Sequence, residues 1–417
     1  MTTNNSNNSN GNANRTVTAN NTLETMETIT TTEQLETAQQ VNKTEQPKPK
    51  KKTRKRNDNN KIQHVDLVLD AGSHNCKAMV DGYSNSFASM FKEIKGELPS
   101  GMAGVFSYNN KNYVVGKLSQ GFQGKETIHA FKDNKISKLD IWLIGALTYD
   151  CDFLDSLIEH PTVNKYKSKP IQLHINLKLL SLSSGKKGDI TKILTNINAF
   201  TYRNKEFQIT FTNLEEEYIY SEGFGSALTA KSMSPDDREF YILDLGGGTL
   251  TLTQYFNGRD KPKANDRIIA TGGGMEVVGE CIFKAVAKSD MGGQGLEMSG
   301  IFAALKACRI KDGNYFTPYS LGRKNIDISQ SIPDGLDNWI LENPTIKKVL
   351  NEARRVLNAG HKVYATGGGF ACGLIAQWIS NYLIEEIEVA QFEVLSKPES
   401  INVTGMKLLN RGTNIND

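Results

Sequence analysis

Residues 62–417 of this 417-residue chain are predicted to form an α/β fold built from two related domains that face one ligand. Three observations predict it. Strand-like runs alternate with helix-like runs throughout the region, the pattern of sheets covered by helices. A unit of strand, Asp, small residue, Gly, turn and strand occurs twice: LVLDAGSHN (67–75) aligns without a gap with YILDLGGGT (241–249), 174 residues further on, from Asp70 to Asp244. A third glycine turn, TGGGFACG (366–373), lies between a strand-like and a helix-like run.

The elements follow in order. Residues 1–61 begin as an Asn-, Thr- and Ser-rich stretch with too few apolar residues to offset the entropy of ordering, and are expected to be disordered. KPKKKTRKR (48–56) carries seven basic residues in nine. It reads either as a solvated linker or as an electrostatic tether to nucleic acid or anionic lipid, and no aromatic residue interleaves it to stack on bases. VDLVLD (65–70) is a buried-strand run, and CKAMV (76–80) is its partner across the AGSHN turn. Tyr113–Val115 is a short strand. Residues 138–149 (KLDIWLIGALTY) are apolar nearly all round, as in a helix buried on several sides. IQLHINLKL (171–179) alternates like a strand, and residues 206–220 read as strand-rich. EFYILDL (239–245) is a second buried strand, followed by a Gly turn and by TLTLTQY (249–255) at period two. Val278, Cys281, Ile282, Ala285 and Val286 share one helical face. Another helix spans about 345–359, with Asn343 as N-cap, Pro344 in the first position and Gly360 as the stop. Strand KVYAT (362–366) precedes the third glycine turn, and a helix carrying Leu374, Ile375, Trp378, Ile379 and Leu383 follows it.

Composition narrows the function. The chain nets +3, but residues 1–61 hold ten Lys/Arg and six Asp/Glu, so the body nets −1 and is not an obvious DNA binder by itself. No stretch approaches the ~18 uninterrupted apolar residues of a membrane span, and no apolar secretory segment opens the chain. The five cysteines (Cys76, Cys151, Cys281, Cys308, Cys372) form no C-x-x-C pair, the expectation for a reduced, cytoplasmic chain without a zinc site. No G-x-x-x-x-G-K-[ST] occurs, which excludes a P-loop. The dinucleotide fingerprint G-x-G-x-x-G also fails. After Gly367 and Gly369 its third glycine falls on Cys372, and in TGGGMEVVGE (271–280) it falls on Val277.

The repeated unit has a chemical rationale. An Asp at the C-terminal end of each strand can reach a metal ion or its bound waters. The glycine hairpin beside it lets backbone N–H groups crowd around an anion with no Cβ in the way. The third turn offers helix N-terminal amides to a nucleotide. Glu222, in SEGFGSALTA (221–230), lies 22 residues before Asp244 and is a candidate to orient an attacking water. Phosphoryl transfer needs little more than Mg²⁺, phosphate donors and a group that aims the nucleophile.

DAGSHNCK (70–77), LDLGGGT (243–249) and ATGGGFA (365–371) resemble the first phosphate, second phosphate and adenosine motifs of the superfamily of actin, heat-shock chaperones and sugar kinases, and SEGFGSALTA resembles its first connecting helix. GSHNCK, NYVVGK (112–117) and PESINVTGMKLL (398–409) are similar to the plasmid-segregation actins of the ParM/StbA group. The resemblance covers residues 62–417. It implies a two-lobed actin-like ATPase fold of duplicated ribonuclease H-like domains. Domain I would be 62–238, completed by 397–417, and domain II would be 239–396. It implies that Asp70 and Asp244 lie on the metal side of a Mg²⁺–ATP site. Gly72, Ser73, His74, Asn75 and Lys77 would form the first phosphate turn, and Gly246, Gly247, Gly248 and Thr249 the second. Gly367, Gly368 and Gly369 would back the adenosine, and Glu222 would take the hydrolysis-linked position. His74 departs from the usual first turn, and the basic tail lies outside the family core.

The resemblance further implies a cytoplasmic, self-polymerising ATP hydrolase (GTP being the other candidate nucleotide). Its filaments would segregate plasmid DNA through a ParR-like adaptor, with residues 48–56 offering weak direct DNA contact and no membrane involved. Two alternatives belong to the same superfamily. A small-molecule kinase would need an acceptor site, and no substrate motif is visible. An MreB-like filament would need a membrane-inserting segment, and the polar tail does not supply one.

Overall fold

The computed structural model describes residues 62–410 except for 100, 131–134, 150–151, 162, 164–167, 181–183, 290–294, 386 and 388–390. The tail expected to be disordered, with its basic run, lies outside the described residues, as does Cys151.

The first lobe contains β1 (Ile62–Ala71), β2 (Asn75–Val80), β3 (Tyr83–Ala88), β4 (Met90–Ile94), β5 (Val105–Tyr108), β6 (Lys111–Val115), β7 (Ile128–His129), α1 (Leu139–Thr148), α2 (Asp152–Glu159), β8 (Ile171–Leu180), α3 (Lys187–Thr195), β9 (Ala199–Tyr202) and β10 (Lys205–Phe211). Helix α4 (Phe224–Met233) leads to the second lobe. That lobe holds β11 (Glu239–Leu245), β12 (Thr249–Phe256), β13 (Lys263–Thr271), α5 (Met275–Lys288), α6 (Met298–Lys306), the hairpins β14–β15 (Arg309–Lys311, Asn314–Phe316) and β16–β17 (Pro318–Leu321, Lys324–Asp327), α7 (Ser331–Glu342), α8 (Pro344–Asn358), β18 (Val363–Thr366), α9 (Gly373–Ile384) and β19 (Phe392–Val394). A short α10 (Ile401–Thr404) and a 3-10 segment to Asn410 follow.

The duplication implied by the repeated motif is present in the sheets. The first orders its strands β3-β2-β1-β8-β10 and continues through β9-β5-β6-β4-β7. The second is β13-β12-β11-β18-β19. In each, three antiparallel strands form a meander and two further strands join in parallel beside the first. Both glycine hairpins therefore occupy the same place, at the C-terminal end of the central strand.

Burial explains the elements. All of α1 except Asp140 is buried, matching its apolar sequence on every side. Helix α8 buries Ile346, Val349, Leu350, Ala353, Val356 and Leu357 on one stripe, and each of these except the small Ala353 contributes roughly 1.5–3 kcal/mol if fully transferred from water. Asn343 and Pro344 stand at its start as the sequence predicts. A third apolar cluster joins the lobes: Val68, Met79 and Leu180 from the first sheet, Phe240, Ile242, Tyr255 and Tyr364 from the second, and Phe224, Ala227, Val403 and Met406 between them.

One expectation fails. Residues 206–220 are strand only to Phe211, with a single bridge from Leu179 to Ile219 beyond. Asn213 replaces the ladder: its Oδ1 accepts from Leu177 N at 2.9 Å and its Nδ2 donates to Leu177 O at 2.8 Å.

Candidate active site

The first hairpin closes tightly. A Cβ on Gly72 would lie 2.5 Å from Asn75 O, so only glycine fits there. Ser89, buried at the β3–β4 junction, braces the turn: its Oγ donates to Gly72 O at 2.6 Å and its N–H to His74 O at 2.8 Å. Ser73 is half-buried in the turn and Asn75 is exposed at the head of β2. Asp70 is 5% exposed and stands opposite Lys77 in the β1–β2 register. Asn402 Nδ2 reaches Asp70 Oδ2 at 3.4 Å, while Asn402 Oδ1 accepts from Gly225 N at 3.1 Å. The C-terminal segment thus ties Asp70 to the start of α4.

The second hairpin runs through Gly246, Gly247 and Gly248 to Thr249, closed by Gly246 N to Thr249 O at 2.9 Å. The first amides of α5 hold it from behind: Met275 N donates to Gly246 O and Glu276 N to Gly247 O, each at 3.0 Å. A Cβ on Gly247 would collide with the His74 imidazole, so the two turns touch. A Cβ on Gly248 would meet nothing within 4 Å, which leaves that side of the hairpin open. Burial lowers the His74 pKa; Glu276 opposes that shift and Lys135 reinforces it.

The third turn packs onto the second lobe's Asp. Gly367 has φ 96°, and its Cβ would collide with Asp244 Oδ1. Gly369 is buried against Leu245, whereas Gly368 is exposed with open space beside it. Glu222 sits in the turn immediately before α4. Its carbonyl accepts from Arg267 Nη2 at 2.5 Å and Tyr255 Oη at 3.2 Å, and Arg267 Nε also donates to Thr253 Oγ1 at 2.9 Å.

The three acids feel one another. Burial raises the Glu222 pKa, and Asp70 raises it further against Arg267, Lys135 and Lys77. Asp244 is pushed up to about 7 by burial, then by Glu222 and Asp70, with Lys77 and Arg267 opposing. Asp70, Glu222 and Asp244 therefore converge on one region beside Lys77, Lys135 and Arg267. Among the described residues, no three His, Cys, Asp or Glu side chains stand close enough to hold a bare metal ion together. This donor set suits a cation that keeps part of its water shell and shares its charge with an anionic ligand. The carboxylates of Asp70, Glu222 and Asp244 lie close enough to raise one another's charge cost, with Lys77 and Arg267 offsetting it.

The sequence-predicted residues are thus brought together. Asp70, His74 and Lys77 come from the first hairpin and Asp244, Gly246, Gly247, Gly248 and Thr249 from the second. Glu222 lies beside them, and Gly367 presses on Asp244. Sequence reasoning missed Lys135, Arg267, Ser89 and Asn402. Only Asn402 lay in a run that had drawn notice, PESINVTGMKLL. The other three carry no local signal.

Solved structures similar to this chain include ParM proteins and an archaeal actin homologue. A ParM filament protein from Clostridium botulinum matches with a TM-score of 0.57 at 16% identity, over 85% of this chain and 100% of that one. The chain has the actin-like fold. Ta0583, an archaeal actin homologue, matches at 0.55 and 18% identity, over 84% and 99% of the two chains. Bacillus thuringiensis ParM solved with ATP matches at 0.54 and 13% identity, over 84% and 98%. No protein-family model matches the chain, and no curated protein does. The actin-like fold accounts for the paired hairpins, one at the end of each lobe's central strand. No helix among the described residues is long and apolar enough to cross a membrane.

Proposed function

We propose that this protein is an actin-like ATPase whose Mg²⁺–ATP-dependent self-assembly into filaments segregates plasmid DNA through a ParR-like adaptor in the cytoplasm. The observation that carries the proposal is the convergence of Asp70, Glu222 and Asp244, drawn from the two glycine hairpins and the turn before α4, beside three cations. Residues 62–238 with 397–417, and residues 239–396, are the two domains of the proposal. Asp70 and Asp244 would hold the magnesium ion. Gly72, Ser73, His74, Asn75 and Lys77 take one side of the phosphates, and Gly246–Thr249 take the other. Gly367, Gly368 and Gly369 back the adenosine. When bound, Mg²⁺–ATP supplies the phosphoryl group and the neutralising cation. Glu222, its pKa raised by burial, would orient a water for hydrolysis. The basic side chains Lys77, Lys135 and Arg267 keep the carboxylates from repelling the phosphates outright.

Light scattering of the full chain with Mg²⁺–ATP tests the proposal. A rise above a critical protein concentration is expected for wild type and none for Asp244→Ala. A protein that hydrolyses ATP without scattering at any concentration would favour a small-molecule kinase instead.

A further inference from the structure

We infer that His64 and His174 form a second site, a pair of imidazoles that chelates one divalent transition-metal ion (Zn²⁺, Ni²⁺ or Cu²⁺) on the outer face of the first sheet. The two residues are far apart in the chain, yet the parallel register of β1 with β8 sets them directly side by side. Alternation along both strands turns them the same way. Val65, Leu67, Leu173, Ile175 and Leu177 are buried in the first lobe's core, while His64 is exposed and His174 half-buried on the opposite face. One pleat further along that face, Asp66 stands opposite Asn176, whose Nδ2 donates to Asp66 Oδ1 at 2.9 Å.

The geometry suits a metal ion. The two ring centroids lie 5.5 Å apart, with the ring planes at 88°. A ligating nitrogen stands ~2.0–2.1 Å from Zn²⁺ and its ring centre ~1.1 Å beyond, so two imidazoles on one ion place their centroids about 4.5 Å apart at a right angle and about 5.2 Å apart at the tetrahedral angle. The observed spacing is within about 0.3 Å of the tetrahedral one. Perpendicular planes are no obstacle, because each ring can turn about its own metal–nitrogen bond, and the exposed His64 has room to close the remainder. Among the described residues no third His, Cys, Asp or Glu side chain is close enough to join the pair. The two imidazoles therefore supply two nitrogens and leave the other positions to water. Imidazole nitrogen favours Zn²⁺, Ni²⁺ and Cu²⁺, whereas Mg²⁺ keeps to oxygen ligands, so this pair and the carboxylate site select different ions. His64 is near the start of β1 and Asp70 near its end, about 20 Å away at ~3.3 Å per residue. An ion held by both imidazoles clips the first residues of β1 to β8.

The test titrates the nucleotide-free, full-length protein with Ni²⁺ in excess Mg²⁺. Calorimetry counts the ions bound, and proton NMR identifies the ligands by hyperfine-shifted imidazole N–H signals. Residues 1–61 contain no His or Cys, so the tail offers neither a competing imidazole nor a thiolate. One Ni²⁺ per chain with two shifted imidazole signals is the expected result. His64→Gln and His174→Gln should each weaken binding roughly 10²-fold, the order of advantage a second tethered ligand confers, and neither should show two shifted signals. His160→Gln should bind as wild type does. Both site variants should unfold at the wild-type urea concentration without metal, which separates lost ligation from lost folding. The proposal is overturned if no stoichiometric ion binds, if only one imidazole signal shifts in wild type, or if either His64→Gln or His174→Gln binds as tightly as wild type. None of these readouts depends on nucleotide binding.

Discussion

Replacing Asp244 with Asn should make the ligand-free protein more stable while destroying its use for the ligand. In the folded chain Asp244 is pushed from 3.8 up to about 7 by burial and by Glu222 and Asp70. Between pH 4 and pH 7 the folded protein thus holds a proton that the unfolded chain has released. The stability this contributes is fully present below pH 4 and is lost as pH rises through 7. A shift of roughly three units at ~1.4 kcal/mol each sets a ceiling of about 4 kcal/mol on the cost of the charged carboxylate at pH 8. Asn has nearly the same shape and sits against Gly367 without that charge, so we expect Asp244→Asn to gain about 2–4 kcal/mol over wild type at pH 8 and almost nothing at pH 4. Urea unfolding of both proteins at the two pH values measures the difference. Adding Mg²⁺–ATP at ~100 times its Kd should return about 2.7 kcal/mol to wild type and none to the variant. An Asn variant that is no more stable at pH 8, or that shows the same pH dependence as wild type, would refute the electrostatic account of the site.

Glu222→Ala should slow ATP turnover by about 10²–10³ with a much smaller effect on nucleotide affinity, since the carboxylate is invoked only for the transition state, and filaments should outlast those of wild type. Equal losses in turnover and binding would make Glu222 a structural residue. Gly225→Ala should cost about 3–5 kcal/mol in chemical unfolding, because the added Cβ collides with the Asn402 carbonyl and pushes away the segment that buries Val403 and Met406. A loss below 1 kcal/mol would mean that the segment is not held there. Deleting residues 1–60 should leave ATPase activity and light scattering intact and reduce only low-salt co-sedimentation with DNA. Loss of assembly without DNA would place the tail in the filament contact.

The site's frame was legible because its signals are local. A hydrophobic strand, an Asp and a glycine hairpin announce themselves within nine residues, and two copies in register announced a duplicated fold. What was illegible depends on distance. Arg267 lies in KANDRIIAT, whose polar face carries no period, and it matters only because β13 runs beside β12 and brings its guanidinium under the Glu222 carbonyl. Lys135 stands in a stretch of sequence with no pattern of its own. The stretch after Phe211 looked like strand because Tyr218, Ile219 and Tyr220 are apolar. Their burial is real, but they pair with β8 only through the Leu179 backbone, and the ladder before them is interrupted where the Asn213 amide bonds Leu177 instead, which no propensity describes. The short hairpins β14–β15 and β16–β17 intersperse a few apolar residues, such as Tyr319 and Ile326, among polar ones, too sparsely to stand out as strands.

The bond between Asn402 and Asp70 also bears on how the protein is made. The two residues are 332 positions apart, and the Gly225 amide that completes the tie lies 177 before Asn402. At a synthesis rate of about 5–20 residues per second, Asp70 leaves the ribosome roughly 20–70 s before its partner exists. The first lobe's sheet has every strand it needs long before then, yet the crevice that Val403 and Met406 fill stays open to solvent until the final stretch is translated. A nascent chain of this protein is therefore expected to carry a nearly complete first lobe with an unsealed apolar seam, a natural target for a holding chaperone. A slow codon placed late in the message should prolong that exposure more than one placed between the lobes.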